Sequence, residues 1–234
     1  MRYAVYFTPP EDHPLTRAAS HWLGRNAFSA RTDEQDSPCT RLSGGQWQEL
    51  VSEPARYGFH ATLKAPFRLS EDRTAATLGS FFEQYCAQEQ PATIPRLELA
   101  EIGPFFALTC AGGSEGINAL CDRVVRAFEP WRAPLSVAEL AKRRPESLKP
   151  RQRDLLQTWG YPYVFEEFRF HMTLTGAVAE DCKPLVRSLL EEQFSDFLGK
   201  PLAVEHLGLF VEHESGQPFY VQRCLALKGR GETA

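Results

Sequence analysis

The chain has 234 residues, 43% hydrophobic and 24% charged, with a formal net charge of −4. That length can bury a substantial core as one large domain or two small lobes, and the acidic balance argues against a broad nucleic-acid or acidic-membrane surface while leaving room for a local basic groove. Its six cysteines (Cys39, Cys86, Cys110, Cys121, Cys182, Cys224) lie far apart with no C-x-x-C pair, which is neither a zinc nor a thioredoxin pattern and implies no disulfide framework.

In chain order, residues 3–7 are aromatic and β-branched and are stopped by Pro9-Pro10, a strand signal. The same segment is too short and too proline-broken for a signal peptide. Leu15, Ala18, Ala19, Trp22 and Leu23 recur at helical spacing. Residues 26–46 are polar and broken by Gly44-Gly45, which predicts a loop or a mobile cover. A strand follows over about 57–67, carrying His60-Ala61-Thr62-Leu63. Leu78, Phe81, Phe82 and Tyr85 predict a helix, and strands are expected over 96–102 and 104–110. Ile117, Leu120, Cys121, Val124, Val125 and Phe128 make an amphipathic helix. Residues 139–154 hold six Lys/Arg against three acids, and Pro150 and Gly160 bound a short helix. A second strand is expected over 164–174, with His171-Met172-Thr173-Leu174. A helix through Leu185, Leu189 and Leu190 and two strands around Gly208 and Tyr220 complete the order.

The order strand, helix, strand, strand therefore occurs twice, each time led by His-x-Thr-Leu. Glu101-Ile102-Gly103-Pro104-Phe105 and His206-Leu207-Gly208-Leu209-Phe210 even match as x-aliphatic-Gly-x-Phe. Motif, order and spacing agree, which supports an internal duplication. One bilobal domain is expected over 1–234, with pseudo-repeat halves of about 1–115 and 160–234 joined by a helix and a basic insertion over about 116–159.

A strand sends alternate side chains to opposite faces. His60, Thr62 and Lys64 would share one face, with Phe59, Ala61, Leu63 and Ala65 on the other. His171, Thr173 and Thr175 would likewise oppose Phe168, Phe170, Met172 and Leu174. With an unperturbed pKa of ~6.5, one imidazole can be neutral and the other protonated near neutrality. Such a pair can deprotonate a nucleophile and protonate a leaving alkoxide, each worth roughly 10²–10⁴-fold. The threonines can donate to non-bridging oxygens, and Lys64 can neutralise developing charge. A metal site is weaker on this pattern, since no carboxylate or cysteine shares the strand faces and His206 is the only further candidate ligand. His13, His21 and His213 read as surface residues. No G-x-S-x-G elbow supports a serine nucleophile.

These blocks resemble the two-histidine (2H) phosphoesterase superfamily, which includes bacterial 2′–5′ RNA ligase-like cyclic phosphodiesterases. The likeness covers the opening strand, both motifs and the closing hairpin 207–227. Tyr57-Gly58-Phe59-His60-Ala61-Thr62-Leu63-Lys64-Ala65-Pro66-Phe67 and Trp159-Gly160-Tyr161-Pro162-Tyr163, with Phe168-Arg169-Phe170-His171-Met172-Thr173-Leu174-Thr175-Gly176, are similar to the branch found with phosphonate-degradation operons. The resemblance implies an α/β (α+β) fold with two antiparallel sheets around a central cleft and helices outside. It implies a cyclic phosphodiesterase with His60 and His171 as acid and base, in unassigned order, Thr62 and Thr173 on the phosphate, and no cofactor or metal. A ribosyl 1,2-cyclic phosphate is the substrate suggested by that branch. Tyr57, Tyr161, Tyr163, Arg169, Lys64 and Thr175 are further candidate substrate contacts, Tyr6 and Phe105 candidate cleft linings, and the basic insertion a candidate lid. The expected protein is a cytoplasmic monomer acting on a small phosphorylated sugar or nucleotide, with no membrane partner because no apolar stretch can span a bilayer. Action on RNA 2′,3′-cyclic phosphate ends or 2′–5′ linkages is an alternative that the acidic balance and the insertion count against. A non-catalytic phosphate-ester binder is the alternative of another class.

Overall fold

Residues 1–29 and 41–229 are described in a computed structural model of the chain. The opening run is β1 (Arg2–Phe7). Helix α1 (Pro14–Leu23) starts with proline at its first position, where the missing N–H would have had no partner, and it closes on Gly24 at φ 64°. Helix α2 (Gly44–Tyr57) begins where a loop was expected. Ser43 and Gln46 form a capping box, the Ser43 side chain accepting from Gln46 N at 3.3 Å and Gln46 Oε1 accepting from Ser43 N at 3.0 Å. Those bonds satisfy the orphan donors of the first turn and outweigh the helix-weakening effect of Gly44-Gly45. Residues 30–40 of the expected loop lie outside the described residues.

The chain continues through β2 (Ala61–Phe67), α3 (Ala75–Gln88), β3 (Ala92–Ile94), β4 (Arg96–Ile102), β5 (Phe105–Ala111) and α4 (Glu115–Phe128). The insertion supplies α5 (Val137–Lys142) and α6 (Pro150–Trp159), and β6 (His171–Thr173), α7 (Lys183–Gln193), β7 (Leu202–Val204), β8 (His206–Glu212) and β9 (Tyr220–Ala226) follow. This is the expected α+β class, helices with antiparallel sheets.

Sheet topology departs from a simple pair of repeats. One sheet has the order β2-β1-β8-β9, another β4-β5-β6, and β3 pairs with β7. Every pairing is antiparallel. The hairpin β4–β5 follows the first motif in sequence yet carries the second, with Thr109 opposite His171 and Ala107 opposite Thr173. Conversely, β8–β9 follows the second motif and lies beside β1, which carries β2. Each of the two motif-bearing sheets is thus completed by a hairpin that follows the other motif in sequence. The paired x-aliphatic-Gly-x-Phe phrases are not equivalent positions. Gly103, at φ 59°, turns the β4–β5 hairpin, whereas Gly208 lies inside β8 opposite Tyr6. A Cβ on Gly208 would come within 2.6 Å of the Phe210 ring, so glycine there makes room for an aromatic neighbour.

One continuous core joins the sheets and helices. Phe7, Trp22, Phe67, Phe82, Phe106, Phe128 and Phe194 are each almost wholly buried, and full burial of an apolar side chain of this kind contributes about 1.5–3 kcal/mol. The apolar face of α4 packs beneath β2. Trp22 Nε1 donates to Leu174 O at 2.9 Å, Trp47 Nε1 to Trp22 O at 2.8 Å, and Gly176 N to Leu50 O at 2.7 Å. These bonds fasten α1 and α2 to the end of β6. Among the described residues all five cysteines are free, and no helix is long and apolar enough to cross a membrane.

Candidate active site

The first motif is set by the turn that ends α2. Gly58 takes φ 74°, and a Cβ there would sit 2.4 Å from Ala27 Cβ, so both conformation and space select glycine. The strand expected from Tyr57 therefore starts at Ala61, with His60 at its mouth. His60 Nδ1 lies 2.8 Å from Gly58 O. A carbonyl only accepts, so Nδ1 carries the hydrogen, and in the neutral ring Nε2 keeps its lone pair. Thr62 Oγ1 is 3.2 Å from that Nε2. Tyr6, opposite Thr62 on β1, stacks on the imidazole with centroids 4.0 Å apart and planes at 26°. His60 is half-buried and borders the cavity. Burial pushes the His60 pKa down to about 4, helped by the nearby His171 and opposed by the Gly58 bond. His60 is therefore a neutral imidazole at neutral pH.

The second motif repeats the device in a shorter strand. The extended run expected over 164–174 is interrupted by a 3₁₀ turn at Phe165–Glu167, with Phe165 at φ 55°. The Phe165 ring is held by Arg126, 4.6 Å above its centroid, and by Trp159 edge-on at 4.8 Å, so tertiary packing overrides local β propensity. Only His171–Thr173 remains as strand. His171 Nδ1 lies 2.8 Å from Arg169 O, again the carbonyl two residues back, leaving Nε2 for other partners. Phe105 approaches the ring at 6.2 Å. Cα atoms of β2 and β6 come within 8 Å of each other. His60, Thr62, His171 and Thr173 all line a single cavity of about 630 Å³, joined there by Tyr6 and Phe105.

Residues 62–220 match the family described as "Protein of unknown function (DUF1045)". The chain belongs to the DUF1045 family. Two curated relatives carry the name "Ribose 1,5-bisphosphate phosphokinase PhnN". The one from Janthinobacterium sp. (strain Marseille) is 39% identical over 100% of this chain and 52% of its own length. The one from Laribacter hongkongensis (strain HLHK9) is 34% identical over 100% of this chain and 54% of its own. The DUF1045 chain thus spans about half the length of these curated relatives. Among solved structures, TT0787 of Thermus thermophilus aligns over 98% of this chain and 99% of that one, at 15% identity and a TM-score of 0.47. A second structure, named as a phosphoesterase, aligns over 97% and 98% at 11% identity and a TM-score of 0.39.

In this DUF1045 protein the further candidate contacts divide. Tyr57, Tyr161 and Thr175 line the cavity. Tyr57 lies 5.9 Å from His60 and stacks on Phe219. Tyr163 is 45% exposed and Arg169 is exposed, and neither reaches the cavity. Arg169 meets His171 through its main-chain carbonyl. Thr175 is fully buried, its Oγ1 accepting from Phe106 N at 2.9 Å and donating to Gly176 O at 2.8 Å, so its hydroxyl is committed to main chain.

Lys64 does not share the His60 face. The β1–β2 register pairs Val5 with Lys64 but Tyr6 with Thr62, one step on β1 against two on β2. Consecutive residues of β1 point to opposite faces, and cross-strand partners share a face. The bulge therefore turns Lys64 under the sheet, where it is 3% exposed and ion-paired with Glu129. Arg132 holds the other oxygen of Glu129 at 2.6 Å. Lys64→Met is expected to lower stability by about 3 kcal/mol, the low end for breaking a buried pair, and to leave KM unchanged. A denaturant melt with steady-state kinetics checks this; a raised KM with unchanged stability would return Lys64 to the substrate.

The charged rim of the cavity was only partly legible. Glu212 is fully buried between Arg2 and Arg56. Arg68 clamps Glu139 of α5 through Nε at 3.1 Å and Nη2 at 3.1 Å, and those bonds pull the Glu139 carboxyl down to about 2. Lys142 and Arg143, at the end of α5, also line the cavity. The basic run signalled the last two, but no local pattern marks Arg2, Arg56 or Arg68. No group of three His, Cys, Asp or Glu side chains is placed to hold a metal ion among the described residues.

Proposed function

We propose that this DUF1045 protein is a metal-independent cyclic phosphodiesterase of the 2H type, opening a ribosyl 1,2-cyclic phosphate. The observation that carries this reading is that both imidazoles make the same Nδ1–H bond to the carbonyl two residues back and face one cavity, each beside a threonine. A neutral His60 is suited to the base. Its Nε2 takes a proton from water, the water oxygen attacks phosphorus, and the bond from phosphorus to O2 of the ribose breaks. His171 then delivers a proton to O2. In-line displacement needs attacking and leaving oxygens on opposite sides of phosphorus, an arrangement that two histidines on two strands can serve. Thr62 and Thr173 would hold the non-bridging oxygens.

The sugar assignment is supported by the name of the longer relatives. If the substrate bears a 5-phosphate, ring opening at O2 yields ribose 1,5-bisphosphate, the compound that name places before a kinase. The experiment is phosphorus NMR of 5-phosphoribosyl 1,2-cyclic phosphate incubated with the full chain, with and without EDTA, beside an RNA 2′,3′-cyclic phosphate. Conversion to the 1-phosphate monoester in both conditions, faster than the RNA end, is expected. Loss of turnover in EDTA would sink the metal-free mechanism, and a preference for the RNA end would sink the sugar substrate.

A further inference from the structure

We propose that the insertion corner of the cavity, Lys142 and Arg143 beside Tyr161, binds a second phosphate of the substrate, a monoester separate from the phosphodiester between the histidines. This rests on the cyclic phosphodiesterase reading and names what else that substrate carries.

The distribution of charge around the cavity leads there. Five cationic and three acidic side chains line it, a local excess of positive charge in a chain whose formal net charge is −4. Arg2 and Arg56 are taken by Glu212, and Arg68 by Glu139. The remaining acid, Glu53, lies on α2 one turn from Arg56 and Tyr57 and so belongs to that wall. Lys142 and Arg143 are left in the cavity wall with no carboxylate partner among the described residues. A cyclic phosphodiester is a monoanion already met by two histidines and two threonines. Two further cations match a phosphate monoester, which carries close to two negative charges near neutrality.

The geometry suits such a ligand. The Arg143 guanidinium lies over the Tyr161 ring, 4.9 Å from its centroid. A guanidinium lying against an aromatic face keeps its N–H edge available for bidentate bonding to phosphate. Arg143 and Tyr161 line the same cavity as His60, His171 and the Tyr6 ring stacked on His60, so both anion sites face one cavity. The short helix is not loosely hung. Its capping box joins Ser136 and Glu139, and Arg68, the residue after β2, clamps Glu139.

The test compares ribosyl 1,2-cyclic phosphate with and without a 5-phosphate on the wild type and on Lys142→Ala/Arg143→Ala. The ratio of kcat/KM for the phosphorylated over the unphosphorylated compound is expected to fall about tenfold to a hundredfold, as for lost charge-assisted hydrogen bonds, with partial recovery in Arg143→Lys. An unchanged ratio overturns the proposal. If the wild type turns over neither compound, the enzymatic reading fails separately. Calorimetric titration with ribose 5-phosphate then decides the site: weaker binding by the double variant supports it, and equal binding overturns it.

Discussion

Alanine at His60 or at His171 is expected to lower kcat on the cyclic phosphate by roughly 10²–10⁴-fold each, the usual worth of a positioned acid or base. The double variant should lose far less than the product of the two, because base and acid act in one displacement and their effects are not additive. Each ring is held by a main-chain carbonyl and borders the cavity, so removing it should leave the fold cooperative. His60→Gln and His171→Gln, closer in size, serve where alanine loosens the Tyr6 stack. A loss under tenfold at either position, in protein with a native melting transition, would remove that histidine from the proton transfers.

The pH profile should be equally distinctive. His60 works as a base only when unprotonated. With its pKa held near 4, kcat/KM should stay level down to about that pH and then fall about tenfold per unit. Tyr6→Leu strips the stacked ring and lets water reach the imidazole, so the acid limb should move up toward the unperturbed ~6.5. At pH 5 a complete shift would cost the variant about thirtyfold in the basic form. The same depression bears on folding. Between about 6.5 and 4 the unfolded chain takes up a proton that folded His60 refuses, so this residue's contribution to stability declines across that window and changes no further below it. A wild-type acid limb near 6.5, unmoved by Tyr6→Leu, would show that His60 is not the base.

The sequence showed much of this because a strand has a period of two, and His60 and Thr62 lie before the point where that period breaks. Extending the alternation to Lys64 failed because a bulge against β1 resets the faces, and nothing local marks a bulge whose cause is the partner strand. The start of α2 was legible in principle, since Ser43-Gly44-Gly45-Gln46 has capping-box spacing, but the glycine pair drew the opposite reading. The length of β6 was not legible, because Arg126 and Trp159, distant in sequence, hold the Phe165 turn. Cations brought to the rim from β1 and α2 have no local signature either, because long-range folding alone gathers them.

The exchanged hairpins also govern when the pocket can exist. Tyr6 leaves the ribosome long before Gly208, its neighbour on β8, has been made. Until then β1 and β2 form at most an unfinished ribbon with an open edge, and such edges invite wrong pairing. His171 is likewise made long after β5, the strand that will receive it. Long-range closures of this kind slow folding and leave aromatic strands exposed to wrong pairing in the meantime. The pocket comes into being only once the strands at both ends of the fold have been made.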